Sequence, residues 1–146
     1  SLREAGLKVR CRRSQRLPGR TTQVFVIDTI GELLWFFAAA DVAFVGGSLC
    51  RVGGHNVLEP ASLGVPSVVG PHTFNFNEVT NRLRDGGGLL QVADGEQMAD
   101  AVRGLIADPE RRRRMGQAAR TEMRALAGAL GRTLDLADQV LAGRRG

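Results

Sequence analysis

The sequence predicts an α/β protein in which a parallel sheet is flanked by helices, and three observations carry that expectation. Short apolar runs alternate along the chain with segments of helical periodicity, the order that generates βαβ crossovers. The run "VAFV" at 42–45 is apolar without alternation, as a strand covered on both faces is, and "VPSVVG" at 65–70 reads the same way. At 146 residues with 43% hydrophobic composition, the chain can bury a sizeable core as one unit, residues 1–146.

Residues 7–11 and 23–27 read as strands, separated by a polar loop broken by Pro18 and Gly19. In "DTIGELLWFFAAAD", Thr29 and Glu32 have capping-box spacing, which predicts a helix opening there and ending near Ala40, with Leu33, Phe36 and Phe37 inward. After the strand at 42–45, "NVLE" repeats that spacing at Asn56 and Glu59, opening a short helix stopped by Gly64. A helix in "NFNEVTNRLRDGGG" turns Phe76, Val79 and Leu83 inward, and "LLQV" follows as a strand. Asp94 caps a helix carrying Met98, Val102, Leu105 and Ile106 at helical spacing. Pro109 takes the first position of the next helix, and a terminal run places Leu130, Leu134, Ala137 and Leu141 on one face.

The formal charge is +5, and nineteen of the twenty basic residues are arginine, a balance that favours an anionic partner. The tetrad Arg111 to Arg114 at a helix start reads as a solvated face. With six Phe, one Trp and no Tyr the chain lacks the stacking platforms of a nucleic-acid binder, so no nucleic acid is expected. Cys11 and Cys50 belong to no metal-spaced cluster, and neither a metal nor a cofactor is expected. No apolar run reaches the length of a membrane span, and the first residues do not read as a signal peptide. They read as the middle of something longer.

In parallel α/β sheets, ligands bind at the loops leaving the carboxyl ends of the strands. Three loops stand out here: "DTIGEL" at 28–33, "GGSLCRVGGHNVLEP" at 46–60 and "GPHTFNFNE" at 70–78. The sequence expectation is that all three open at one edge. Gly46, Gly47, Gly53 and Gly54 offer close backbone approach to a phosphate, while Ser48, Asn56 and His72 offer polar side chains. Glu59 would repel a phosphate and suits the vicinal hydroxyls of a ribose instead. With no lysine-serine ending of a triphosphate loop, a nucleotide monophosphate or nucleotide sugar fits better. Each residue also has a local explanation: Asn56 and Glu59 as caps, the histidines as turn residues, the glycines as strand ends. No pair of carboxylates and no triad partner for Ser48 marks a catalytic centre within the chain.

"DTIGEL", "ADVAFVGGSL", "GGHNVLEP", "GPHTFNF" and "DPERRRRMG", in this order, closely resemble the C-terminal half of bacterial 3-deoxy-D-manno-octulosonic acid (Kdo) transferase of lipopolysaccharide synthesis. The resemblance runs from about Leu7 to about Leu136, with Ile30 and the pair Arg51-Val52 as departures. It implies a Rossmann-like fold, the C-terminal donor-binding domain of a two-domain GT-B glycosyltransferase. It further implies inverting, metal-independent transfer of Kdo from CMP-Kdo to lipid A precursor at the cytoplasmic face of the inner membrane. The catalytic base, the acceptor surface and the membrane anchor would then lie in an N-terminal half that this chain does not match, leaving a soluble fragment without activity of its own. By resemblance, Asn56 and Glu59 hold the ribose side of CMP, the backbone at Gly31 and Glu32 lines the nucleotide pocket, and Ser48, Gly53 and Gly54 approach the phosphate. Two alternatives stay open: another GT-B glycosyltransferase or epimerase using a UDP-sugar, and a basic nucleotide- or nucleic-acid-binding module without chemistry.

Overall fold

The computed structural model describes residues 2–14 and 17–143, with side chains through residue 129 and at 131–132. The chain forms two compact units, Ser1–Phe36 and Phe37–Gly146, each with its own parallel sheet, rather than the one unit expected from its length.

In the first unit, β1 (Val9–Cys11) pairs in parallel with β2 (Val24–Val26), Val9 opposite Val24. The helix that follows, α1 (Leu33–Ala38), begins three residues later than a Thr29 N-cap implies. Gly31 adopts φ +87°, off the helical path, and the Thr29 hydroxyl donates to the Glu32 carboxylate rather than capping a backbone N–H. The inward role expected of Leu33 is likewise not met. It is 49% exposed, and no residue of α1 is buried. Phe36 packs on Phe25, with ring centroids 6.0 Å apart.

The second unit holds a three-stranded parallel sheet in the order β3 (Ala43–Phe44), β4 (Ser67–Val69), β5 (Leu89–Gln91). The connections are α2 (Leu58–Ser62) and α3 (Asn77–Asp85). Beyond β5 lie α4 (Gly95–Ala107) and α5 (Pro109–Gly143), a continuous helix of 35 residues. The apolar face expected at residues 130–141 concerns side chains outside the described ones.

All three residues of the central strand β4 are buried. Successive side chains of a strand point to opposite faces, and β4 divides accordingly. Val69 joins a cluster with Val45, Val57, Ala61, Leu83, Leu89 and Ala119, while Val68 joins Val92, Leu105 and Met115. The sheet is therefore covered on both sides. On β3 burial alternates instead: Ala43 and Val45 are buried, whereas Phe44 is 38% exposed, so this run is not closed on both faces as its composition suggested.

The helix ends follow from local chemistry. Asp94 accepts a hydrogen bond from the Gln97 amide at 2.9 Å and so caps α4, as its sequence position indicated. Asp108 accepts from the Arg111 amide and starts α5. The Arg112 guanidinium donates to the Leu105 and Ile106 carbonyls at 2.8 and 2.6 Å and lies 3.4 Å from Asp41, tying the end of α4 to the start of α5. Leu105 is fully buried, but Ile106, expected on the same face, is 61% exposed. One residue further along a helix is about 100° further round it, which carries Ile106 past the stripe of Met98, Val102 and Leu105. Truncating the two neighbours separates their roles. Leu105→Ala is expected to destabilise the fold by about 2–5 kcal/mol, and Ile106→Ala by less than about 1 kcal/mol, in urea unfolding.

Candidate functional site

Two of the three loops singled out by sequence leave the carboxyl ends of the adjacent strands β3 and β4, and one buried side chain joins them. Ser48 is fully buried; its hydroxyl donates to the Val45 carbonyl at 2.6 Å and accepts from the Gly70 amide at 2.9 Å. Its carbonyl accepts from the His72 amide at 2.9 Å. At Gly70 any Cβ would strike the Ser48 backbone, so the two loops touch directly. Ser48, expected at a phosphate, thus works from inside: its hydroxyl is committed to loop-to-loop bonding.

The loop after β3 is closed on itself. The amides of Gly54 and His55 donate to the carbonyls of Gly47 and Gly46, each at 3.0 Å, and the His55 ring lies over Gly47, whose added Cβ would come within 3.2 Å of Nε2. The Gly54 N–H is therefore taken up within the loop. Gly53 is buried at φ +100°, and a Cβ there would collide with the Phe74 ring and stand 2.6 Å from the Asn75 carboxamide. Asn75 completes the enclosure. Its amide donates to the Gly53 carbonyl at 3.1 Å, and its Nδ2 donates to the carbonyls of Val52 and Gly54 at 3.2 and 3.3 Å. Asn75 lies within "GPHTFNF", where the sequence motif assigns it no role. The available signal was an asparagine between two aromatics immediately ahead of a helix, a residue type that bonds nearby backbone.

Asn56 and Glu59 form a pair at the mouth of this loop, both half-buried. Asn56 Nδ2 donates to Glu59 Oε1 at 3.1 Å, and Asn56 Oδ1 accepts from the Leu58 amide at 2.9 Å. The capping-box spacing therefore yields a different arrangement. The carboxamide bonds two residues ahead and orients the carboxylate, while Val57 occupies the cap position of α2 with no side-chain bond. Glu59 Oε2 has no hydrogen-bond partner recorded among the described residues. His55 is exposed and His72 half-buried.

The third loop belongs to the first unit. Around Gly31 and Glu32, a cleft of about 460 Å³ is lined by Arg12, Arg13, Thr29, Ile30 and Glu32. Glu32 Oε1 accepts from the Arg12 guanidinium at 2.8 Å, and Oε2 accepts from the Thr29 hydroxyl. Those two hydrogen bonds, Thr29's foremost, hold the Glu32 carboxyl below its ordinary pKa against a small opposing effect of burial. Arg13 is fixed on Asp28 through its amide and guanidinium. Neither Arg12 nor Arg13 was singled out by sequence, since nothing in a polar loop twenty residues upstream marks a partner for Glu32.

With this geometry established, comparison with known proteins becomes specific. Residues 10–122 match the family described as glycosyl transferases group 1, and the chain belongs to that family. Among curated proteins, the 3-deoxy-D-manno-octulosonic acid transferase of Bordetella pertussis is 45% identical over 118 residues, covering 81% of this chain and 28% of the relative. That of Haemophilus influenzae is 41% identical over 126 residues, covering 86% and 30%. The chain thus spans under a third of the length of these relatives. A crystal structure described as the C-terminal CMP-Kdo binding domain of WaaA from Acinetobacter baumannii superposes with a TM-score of 0.79 at 35% identity, covering 84% of this chain and 64% of that one. Spinosyn rhamnosyltransferase SpnG, at 19% identity and a TM-score of 0.53, shares the fold. The fold class and the resemblance read from the motifs are both borne out.

Two measurements probe the geometry. Asn75→Ala removes the carboxamide that spans Val52 and Gly54, so amide exchange at Gly54 and His55 is expected to quicken by about ten-fold or more while β4 keeps its protection. For Glu32, a lowered folded pKa means that its stabilising contribution is present above the unfolded carboxyl pKa and is lost as pH falls through the lower folded value. Arg12→Ala should move the Glu32 midpoint upward in an NMR titration.

Proposed function

We propose that residues 1–146 are the donor-binding domain of a Kdo transferase and that the loops after β3 and β4 take the nucleotide of CMP-Kdo. The observation that carries this is the Asn56–Glu59 pair. One carboxylate oxygen is held by the carboxamide at 3.1 Å, so the other is oriented at the loop mouth, without a hydrogen-bond partner among the described residues. A carboxylate so held accepts hydrogen bonds from vicinal hydroxyls and repels phosphate, which suits the ribose of a nucleotide monophosphate. Ser48, Gly53 and Gly54 shape the loop from within.

Support comes also from the relatives, all the more because the solved domain of the Acinetobacter protein is described as binding CMP-Kdo. The rest of the reading follows the same resemblance. The acceptor is lipid A precursor, bound by an N-terminal domain that also carries the base, and the whole enzyme works without a metal at the cytoplasmic face of the inner membrane. Among the described residues no helix is long and apolar enough to cross a membrane. Inverting transfer needs a base within hydrogen-bond reach of the acceptor hydroxyl, and no side chain of the three loops is assigned that task.

Calorimetric titration tests the reading. The chain is expected to bind CMP at about 0.1–1 mM, weakly because one side of the pocket stays open to water, and to bind UMP less well. Glu59→Gln should weaken CMP binding about ten- to hundred-fold, the loss of a charge-assisted hydrogen bond of roughly 1.5–3 kcal/mol, with unfolding unchanged. With CMP-Kdo and lipid A precursor, the chain alone should transfer no Kdo. Loss of stability with CMP affinity retained would make Glu59 a structural residue only.

A further inference from the structure

Away from the donor loops, a groove of about 430 Å³ runs between the turn after α2 and one face of α5. Its floor has no side chains. Gly64 and Gly116 meet there so closely that a Cβ on Gly116 would collide with the Gly64 carbonyl. Its walls carry Arg113, Arg120 and Arg124, residues spaced seven and four apart and hence on one stripe of the helix. Arg120 donates to the Leu63 carbonyl at 2.7 Å, Arg113 is paired with Glu110 at 2.6 Å, and Arg124 has no recorded partner among the described residues. Three guanidinium groups thus line the groove, with Arg113 held by Glu110 through both of its terminal nitrogens. Beyond Arg120 and Arg124 lies a second cleft of about 400 Å³, predominantly apolar, with Leu63, Met123 and Ala127 on its sides.

We propose that these adjoining clefts form a binding site for an anionic phospholipid, the phosphate in the arginine groove and the start of an acyl chain in the apolar cleft. Guanidinium groups bind phosphate in a bidentate manner, and arginine stems lying along apolar surface suit the boundary between headgroup and acyl chain. A free phosphate would use the first cleft alone; the amphiphile accounts for both. The site is distinct from the donor loops and goes beyond the function proposed above.

The test uses the whole chain with dihexanoyl phosphatidylglycerol below its micelle concentration, dihexanoyl phosphatidylcholine and inorganic phosphate, each followed by NMR. Phosphatidylglycerol is expected to shift the amides of Gly64, Gly116 and Met123, and to bind at least about ten-fold tighter than either phosphate or phosphatidylcholine. The double substitution Arg113→Gln, Arg124→Gln should weaken it roughly ten- to thirty-fold. Arg111→Gln with Arg114→Gln, an equal charge change outside the groove, should leave it nearly unchanged. Arg120 is retained because it also holds the Leu63 carbonyl. Equal losses in the two double variants would reduce the effect to net charge and overturn the proposal. So would equal affinity for inorganic phosphate, or no shift at Gly64 and Gly116 with any probe.

Discussion

The hydroxyl of Ser48 is the contact on which the geometry of the loops after β3 and β4 depends. Parallel strands bring their carboxyl ends side by side, but nothing in the ladder dictates how the loops beyond those ends are held. Here a fully buried oxygen donates to the loop it stands on and accepts from the Gly70 amide of the neighbouring one. A buried amide without such an acceptor costs about 1–3 kcal/mol, so the two loops separate only by exposing Gly70 to that penalty. The carboxamide of Asn75 answers from the other side. Each loop thus lends one side chain to the backbone of the other, and the Asn56–Glu59 pair is displayed on a frame fixed from within.

That frame divides labour between buried and half-buried groups. The polar atoms with the best hydrogen-bond complements, those of Ser48 and Asn75, face backbone. Glu59, tethered through one oxygen, keeps capacity for a ligand. The separation bears on the proposed ribose contact, because a carboxylate that takes a ligand has to be oriented and yet not saturated. In the first unit Glu32 meets the opposite condition, with both oxygens engaged by Thr29 and Arg12. Its carboxylate organises the cleft and is saturated by those two partners.

Much of this was legible in the sequence, and the failures have physical reasons. The order of strands and helices, the Asp94 cap and the start of α5 at Pro109 rest on signals that act within a few residues, and the structure keeps them. Burial depends on what lies opposite, so Leu33, Phe44 and Ile106 were placed by composition or spacing and came out exposed. Neither capping-box spacing closes as a reciprocal box: Asn56 does accept from the Leu58 amide at the start of α2, whereas Thr29 caps no backbone N–H. In each, a carboxylate three residues on bonds the leading side chain, which no spacing rule distinguishes from reaching the backbone. Asn75 and Arg12 were missed for a related reason: their partners lie some twenty residues away, and only the fold brings them together.

Gly53 shows how such a frame constrains descent with change. The space its side chain would fill is occupied by Phe74 and Asn75, contributed by a different loop. A larger residue at 53 would need simultaneous trimming at 74 and 75, and trimming Asn75 alone releases the carbonyls it holds. Even the combined change leaves a backbone at φ +100° that side chains with a Cβ rarely adopt. Substitutions at these positions are therefore epistatic, each harmful on its own and only partly repaired by the other. No single-step mutational path leads out of the motif, so related chains should vary around this corner rather than through it.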